Sequence, residues 1–140
     1  MNLLSKRKPY ALKYFKIEEF HCKCSFTDCT KLPDGGMDRK LLKSCDKLRE
    51  QFGFPITVTS GYRCPDWNDK VGGVPKTDKS MGSQHMYGTA ADLRPSAYSD
   101  KRLQLLYSKA VKLNPKGLGE YSTFVHIDQR RGDRARWKGK

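Results

Sequence analysis

Residues 83–92 read Ser83-Gln84-His85-Met86-Tyr87-Gly88-Thr89-Ala90-Ala91-Asp92. His85 and Asp92 are seven residues apart, so they share no simple helical face. A loop residue followed by a strand residue can still bring two such side chains together. Gly88 gives the chain freedom to bend between them, and Thr89 to Leu93 reads as a short buried strand. A second histidine with similar surroundings follows in Phe124-Val125-His126-Ile127-Asp128, a run that also reads as a strand. Two histidines and one carboxylate delivered from a loop and two strands form the donor set of a catalytic zinc site. Such a site uses three protein ligands and keeps one position open. Magnesium and calcium prefer all-oxygen shells. Taken alone, the spacing also fits a satisfied core histidine and a capping aspartate.

Other elements follow outward from this stretch. Met37, Leu41, Cys45, Leu48 and Phe52 recur at helical steps, which predicts a helix with one apolar face. Asp38 stands at its start, where the helix dipole favours negative charge, and Gly53 is a C-terminal stop. Cys45 on this reading is a core residue. Pro55 to Ser60 (PITVTS) predicts a strand. Residues 61–69 read as loop with one helical turn, and residues 72–84 as loop. Ser99 caps a second helix to about Leu113, with Leu103, Leu106, Ala110 and Leu113 inward. Pro115 and Gly117 end it. The expected fold is α+β: a small antiparallel sheet with helices packed on it.

The chain has 140 residues, which suits one domain. The expected division is a basic N-terminal arm at 1–13 and one domain at 14–140. Net charge is +13, which favours polyanionic partners: nucleic acid, anionic lipid or anionic cell wall. No nucleic-acid motif accompanies the charge, so nucleic acid is the disfavoured partner. No stretch approaches the roughly 20 apolar residues of a membrane span, and the N-terminus lacks the pattern of a secretory signal.

Five cysteines are present, an odd number. His21, Cys22, Cys24 and Cys29, with Cys64 downstream, leave a second metal site, a disulfide and free thiols all open, with free thiols favoured.

The pattern Ser-x-His-x-x-Gly-x-Ala-x-Asp, followed by Phe-Val-His-Ile-Asp and preceded by Ser60-Gly61-Tyr62-Arg63, resembles the M15 peptidases. These are zinc D-alanyl-D-alanine carboxypeptidases and L-alanyl-D-glutamate endopeptidases, often found in phage lysis modules. The same His, Asp and His pattern is similar to that of the hedgehog signalling domain. The resemblance extends through Asn68 and Val71-Gly72-Gly73 to Arg136-Trp137. It implies a single zinc-peptidase domain with His85, Asp92 and His126 as zinc ligands. Arg63 then orients a substrate carboxylate or carbonyl, and Ser83 and Gln84 donate hydrogen bonds beside the metal or shape the loop.

The resemblance implies Zn2+ as cofactor and peptidoglycan as substrate, with an anionic wall or membrane surface as a further partner. The enzyme is expected as a monomer, acting on the wall after release or as part of a phage particle, as an endolysin does. The general base is expected at Glu120 or Asp128. If the strand of His126 extends backwards, residues 120, 124, 126 and 128 share a face. Glu120 lies six before His126, the offset at which hedgehog-like sites carry a glutamate. Many family members place the base three before the last ligand, where this chain has Thr123, and related enzymes carry a histidine where it has Phe124. Asp128 is alternatively a partner that holds a ligand histidine by a hydrogen bond. The competing reading is a catalytically silent zinc-containing domain that binds the cell wall.

Overall fold

The computed structural model describes residues 10–140. Most of the basic arm expected at 1–13 lies outside the described residues. The part that is described already belongs to the domain. Tyr10 Oη donates to Asp46 at 2.9 Å, and the backbone N–H groups of Lys13 and Tyr14 donate to the same carboxylate at 2.8 and 3.0 Å.

Helix α1 spans Arg39–Phe52. Its signals are local. The Asp38 side chain accepts from Leu41 N, and Gly53 closes the helix in the left-handed region at φ 83°. Leu41, Cys45, Leu48 and Phe52 are buried along its inner face, as their spacing predicts. Helix α2 is short, Pro65–Lys70. Helix α3 spans Asp100–Leu113, capped by the Ser99 side chain on Arg102 N. Leu106 and Ala110 are buried on it. No helix among the described residues is long and apolar enough to cross a membrane.

Five strands form one sheet: β1 Ile56–Ser60, β2 Ala90–Pro95, β3 Gly117–Glu120, β4 Val125–Asp128 and β5 Ala135–Lys138. The order across the sheet is β1-β2-β4-β3-β5. The sheet is mixed rather than purely antiparallel, because β5 pairs with β3 in parallel. β3 and β5 are the strands that sequence patterning misses.

The register explains how the sheet divides its labour. Val58, Leu93, Val125 and Ile127 are buried in the core, on the face that α3 packs against. Side chains alternate along each strand, so Asp92, His126 and Asp128 leave from the opposite face. Asp92 pairs with His126, and His126 pairs with Gly119. One face thus builds the core and the other holds polar residues.

Candidate metal centre

His85 sits in a 3-10 turn, Gln84–Tyr87, between β1 and β2. Ser83 caps this turn, its hydroxyl accepting from His85 N at 3.3 Å. Gly88 ends it at φ 71°, the bend needed before β2. A Cβ at Gly88 would also lie 2.6 Å from the Pro33 ring. The turn carries His85 under the end of β1. Its Nδ1 lies 2.7 Å from Gly61 O, so Nδ1 carries the proton and Nε2 is left with its lone pair. Nε2 lies 3.2 Å from Asp92 Oδ1.

His126 reaches the same point from β4. Its Nδ1 lies 2.9 Å from Asp92 Oδ1 and its Nε2 2.7 Å from Asp128 Oδ2. One ligand atom from each of His85, Asp92 and His126 lies within 4.8 Å of the others. All three residues are buried. His85 Nε2, a carboxylate oxygen of Asp92 and His126 Nδ1, once it gives up its proton, converge from three separate segments and form a donor set that fits zinc. The second nitrogen of each ring is already held, by Gly61 O and by Asp128, as metal-ligating histidines require.

The charges follow the geometry. Burial opposes ionisation of Asp92, but His85 and His126 beside it outweigh burial and hold its carboxyl well below the usual range. Burial lowers His85, more than Asp92 raises it. Burial also works against a charged His126, yet the hydrogen bonds to Asp128 and Asp92 prevail and raise it.

Arg63 stands at the end of β1. Its Nη2 lies 3.3 Å from Asp92 Oδ2, its Nε donates to Ser60 Oγ at 3.0 Å and its Nη1 to Asn68 Oδ1 at 3.3 Å. Nη2 thus holds the Asp92 oxygen turned away from the histidines. Gln84 Oε1 accepts from Thr89 Oγ1 at 2.9 Å. Arg63, Ser83, Gln84, His85, Asp92 and His126 all line one cleft of about 540 Å³.

The two candidate bases part company. Glu120 is not on the strand of His126. β3 and β4 form a hairpin whose turn returns at Tyr121, where Tyr121 N donates to Phe124 O at 3.1 Å. Glu120 pairs with Val125, one register position from His126, so it faces the Val125 side of the sheet and does not line the cleft. The expectation that residues 120 and 126 share a strand face is corrected accordingly. Asp128 is joined to the centre, but its oxygens are already committed. Oδ2 lies 2.7 Å from both His126 Nε2 and Arg130 Nη2, and Oδ1 accepts from Arg130 N and Arg130 Nε at 3.0 and 2.9 Å. Burial alone would raise its carboxyl, but His126 and Arg130 hold it well below the usual range. Asp128 is an anchored acceptor for His126.

Two neighbours, Trp137 and Arg130, are given no place in the site by the sequence, although the resemblance runs as far as Trp137. The Trp137 ring lies 5.0 Å from the His126 ring, its Nε1 donates to Tyr121 Oη at 2.9 Å, and the Arg130 guanidinium sits over it at 5.0 Å. Trp137 fits because its strand partner is a glycine: a Cβ at Gly119 would lie 2.6 Å from the indole. A tryptophan alternating with charged residues opposite a Gly-x-Gly strand is the signal that could have found it.

The profile of the Peptidase M15 family matches residues 13–128. The chain belongs to the M15 peptidase family. A search of the curated proteins gives no match. The match spans all three candidate metal ligands together with Arg63. It ends at Asp128, so β5 and Trp137 lie beyond it. M15 peptidases are zinc-dependent, and the His85, Asp92, His126 group of this member is one that could bind a metal.

Proposed function

We propose that this M15 peptidase is a zinc enzyme that hydrolyses peptide bonds in the stem peptides of bacterial peptidoglycan, as a carboxypeptidase or an endopeptidase. The observation that carries this reading is the convergence of His85 Nε2, Asp92 Oδ1 and His126 Nδ1 at a cleft that Arg63 also lines. Zinc held by these atoms supplies a Lewis acid for the scissile carbonyl and an acidified water.

The chain's own residues do the rest. Asp128 fixes the His126 ring so that Nδ1 faces Asp92. Gly61 O fixes His85 in the complementary tautomer. Arg63 holds Asp92 and lines the cleft with a planar cation suited to a carboxylate or carbonyl oxygen. Arg130 adds a second cation to the cleft wall, and Tyr121, Phe124 and Trp137 add flat apolar surface. Two guanidinium groups beside aromatic walls suit an anionic peptide with small side chains. The net charge of +13 favours retention on an anionic wall polymer. The site of action on this reading is the cell wall, reached on lysis or as part of a phage particle.

One observation favours a second reading, a wall-binding domain without turnover. Among the described residues lining the cleft, Asp92 is the only carboxylate, and it is a ligand. Digestion of purified peptidoglycan, with fragments identified by mass spectrometry, separates the two. The enzyme releases fragments, and their new termini name the bond cut. Binding to the wall without release would establish the second reading.

A further inference from the structure

The segment 21–36 contains no helix or strand, yet Cys22 and Cys24 within it are buried while Lys23 between them is exposed. Cys29 follows in the same loop. Cys64, at the start of α2, comes from the far side of β1. The four sulfur atoms all lie within 4.8 Å of one another, and no disulfide joins them. His21, a candidate ligand on sequence grounds, is not in the group.

The spacing has a specific meaning. Cys64 Sγ and Cys24 Sγ are 3.9 Å apart, well beyond a disulfide bond of about 2.05 Å. Zinc–thiolate arms of about 2.3 Å at tetrahedral angles put sulfurs about 3.8 Å apart. The separation is that of a tetrahedron edge. N–H donors face three of the four sulfurs. Cys64 N donates to Cys22 Sγ at 3.3 Å and Lys31 N to Cys29 Sγ at 3.3 Å. The Lys31 ammonium lies 3.7 Å from Cys24 Sγ and donates to Cys24 O at 2.7 Å. Four thiolates around a divalent ion leave an excess of negative charge, which N–H donors and a lysine offset.

We propose that Cys22, Cys24, Cys29 and Cys64 form a second, structural zinc site, a closed tetrathiolate centre separate from the His85, Asp92 and His126 group. Its place in the fold gives it a task. The loop 20–31 has little regular hydrogen bonding to hold it, and a bound metal supplies folding energy to such a segment. The site clamps that loop to residues 61–64. Tyr62 N donates to Phe20 O at 2.9 Å, and a Cβ at Gly61 would lie 2.6 Å from Phe20 O, so the two segments meet without a gap. Residues 61–64 in turn supply Gly61 O for His85 and Arg63 for Asp92. The thiolate centre thus positions the cleft from behind while touching no substrate.

The test is metal content and ligand type in the full chain, purified anaerobically from zinc-supplemented growth. The proposal expects two zinc ions in the wild type. It expects one in His126→Ala, with an X-ray absorption spectrum of four sulfur neighbours. In that variant the four thiols should resist alkylation until a strong chelator is added. Cys29→Ser should lose one zinc and keep one bound through nitrogen and oxygen only. Should Cys29→Ser not fold, the His126→Ala spectrum decides alone. Absence of zinc from folded His126→Ala, a shell without sulfur, or disulfides among the four cysteines would overturn the proposal. These results do not depend on whether the protein cuts peptidoglycan.

Discussion

His126 presents its Nε2 to Asp128 Oδ2 at 2.7 Å, and Asp128 is completely buried and further held by Arg130. The relationship fixes which nitrogen of His126 faces Asp92. It needs a glycine opposite: a Cβ at Gly117 would run into the Asp128 carboxylate. Carboxylate partners of ligand histidines typically contribute about 10–100-fold in metal affinity. Asp128→Ala should therefore weaken zinc binding at the His85, Asp92, His126 group by about that factor. Competition with a chromophoric chelator measures it. Unchanged affinity would show that His126 is oriented by other contacts.

Arg63 uses three separate nitrogens on three partners, Ser60, Asn68 and Asp92. Lysine keeps the charge but cannot reproduce a planar fork. Arg63→Lys should lower kcat/KM by roughly 10-fold or more, about 1.4 kcal/mol, with zinc content retained. Steady-state kinetics on a soluble stem peptide reads this out. Activity equal to wild type in Arg63→Lys would mean that charge alone suffices.

Gly119 leaves the space that Trp137 fills, and a Cβ there would lie 2.6 Å from the indole. Gly119→Ala must push the ring off His126 or open the β3–β5 pairing. Overpacking of this kind costs about 1–3 kcal/mol. Urea unfolding followed by tryptophan fluorescence should show a lower midpoint. A midpoint within error of wild type would mean that the ring has somewhere else to go.

The acid limb of stability follows from Asp92 and Asp128. In the metal-free protein both carboxyls are held below their ordinary values, burial being outweighed by His85 and His126 at Asp92 and by His126 and Arg130 at Asp128. Their stabilising contribution is fully present above the unfolded value of about 4. It is lost as pH falls through the depressed folded values. Urea midpoints of the chelated chain should drop between about pH 5 and pH 2. Asp128→Asn should start lower and fall less steeply, because one of the two carboxyls is gone. Equal slopes for the two chains would remove Asp128 from the account.

Much of this was legible in the sequence for physical reasons. Helix α1 announces itself because its signals are local: an apolar face, Asp38 at one end and Gly53 at the other. The candidate metal group His85, Asp92 and His126 stands out through its resemblance to the M15 pattern, since spacing alone also fits a core histidine and a capping aspartate. Alternation read backwards from His126 misplaces Glu120, because it crosses the turn at Tyr121–Phe124 as if it were strand. β5 was hidden because Ala135–Lys138 looks like part of a basic tail, and its pairing with β3 is parallel and not adjacent in sequence. The sulfur group was ambiguous for a related reason. Cys64 joins Cys22 across 42 residues, and no local spacing encodes such a contact.

The most direct test of the central claim is zinc-dependent release of fragments from peptidoglycan by wild type and His126→Ala, each assayed after chelation and after zinc is restored. The account predicts release by wild type only with zinc, and none by His126→Ala under either condition. Release by His126→Ala at the wild-type rate, or by the chelated wild type, would contradict it.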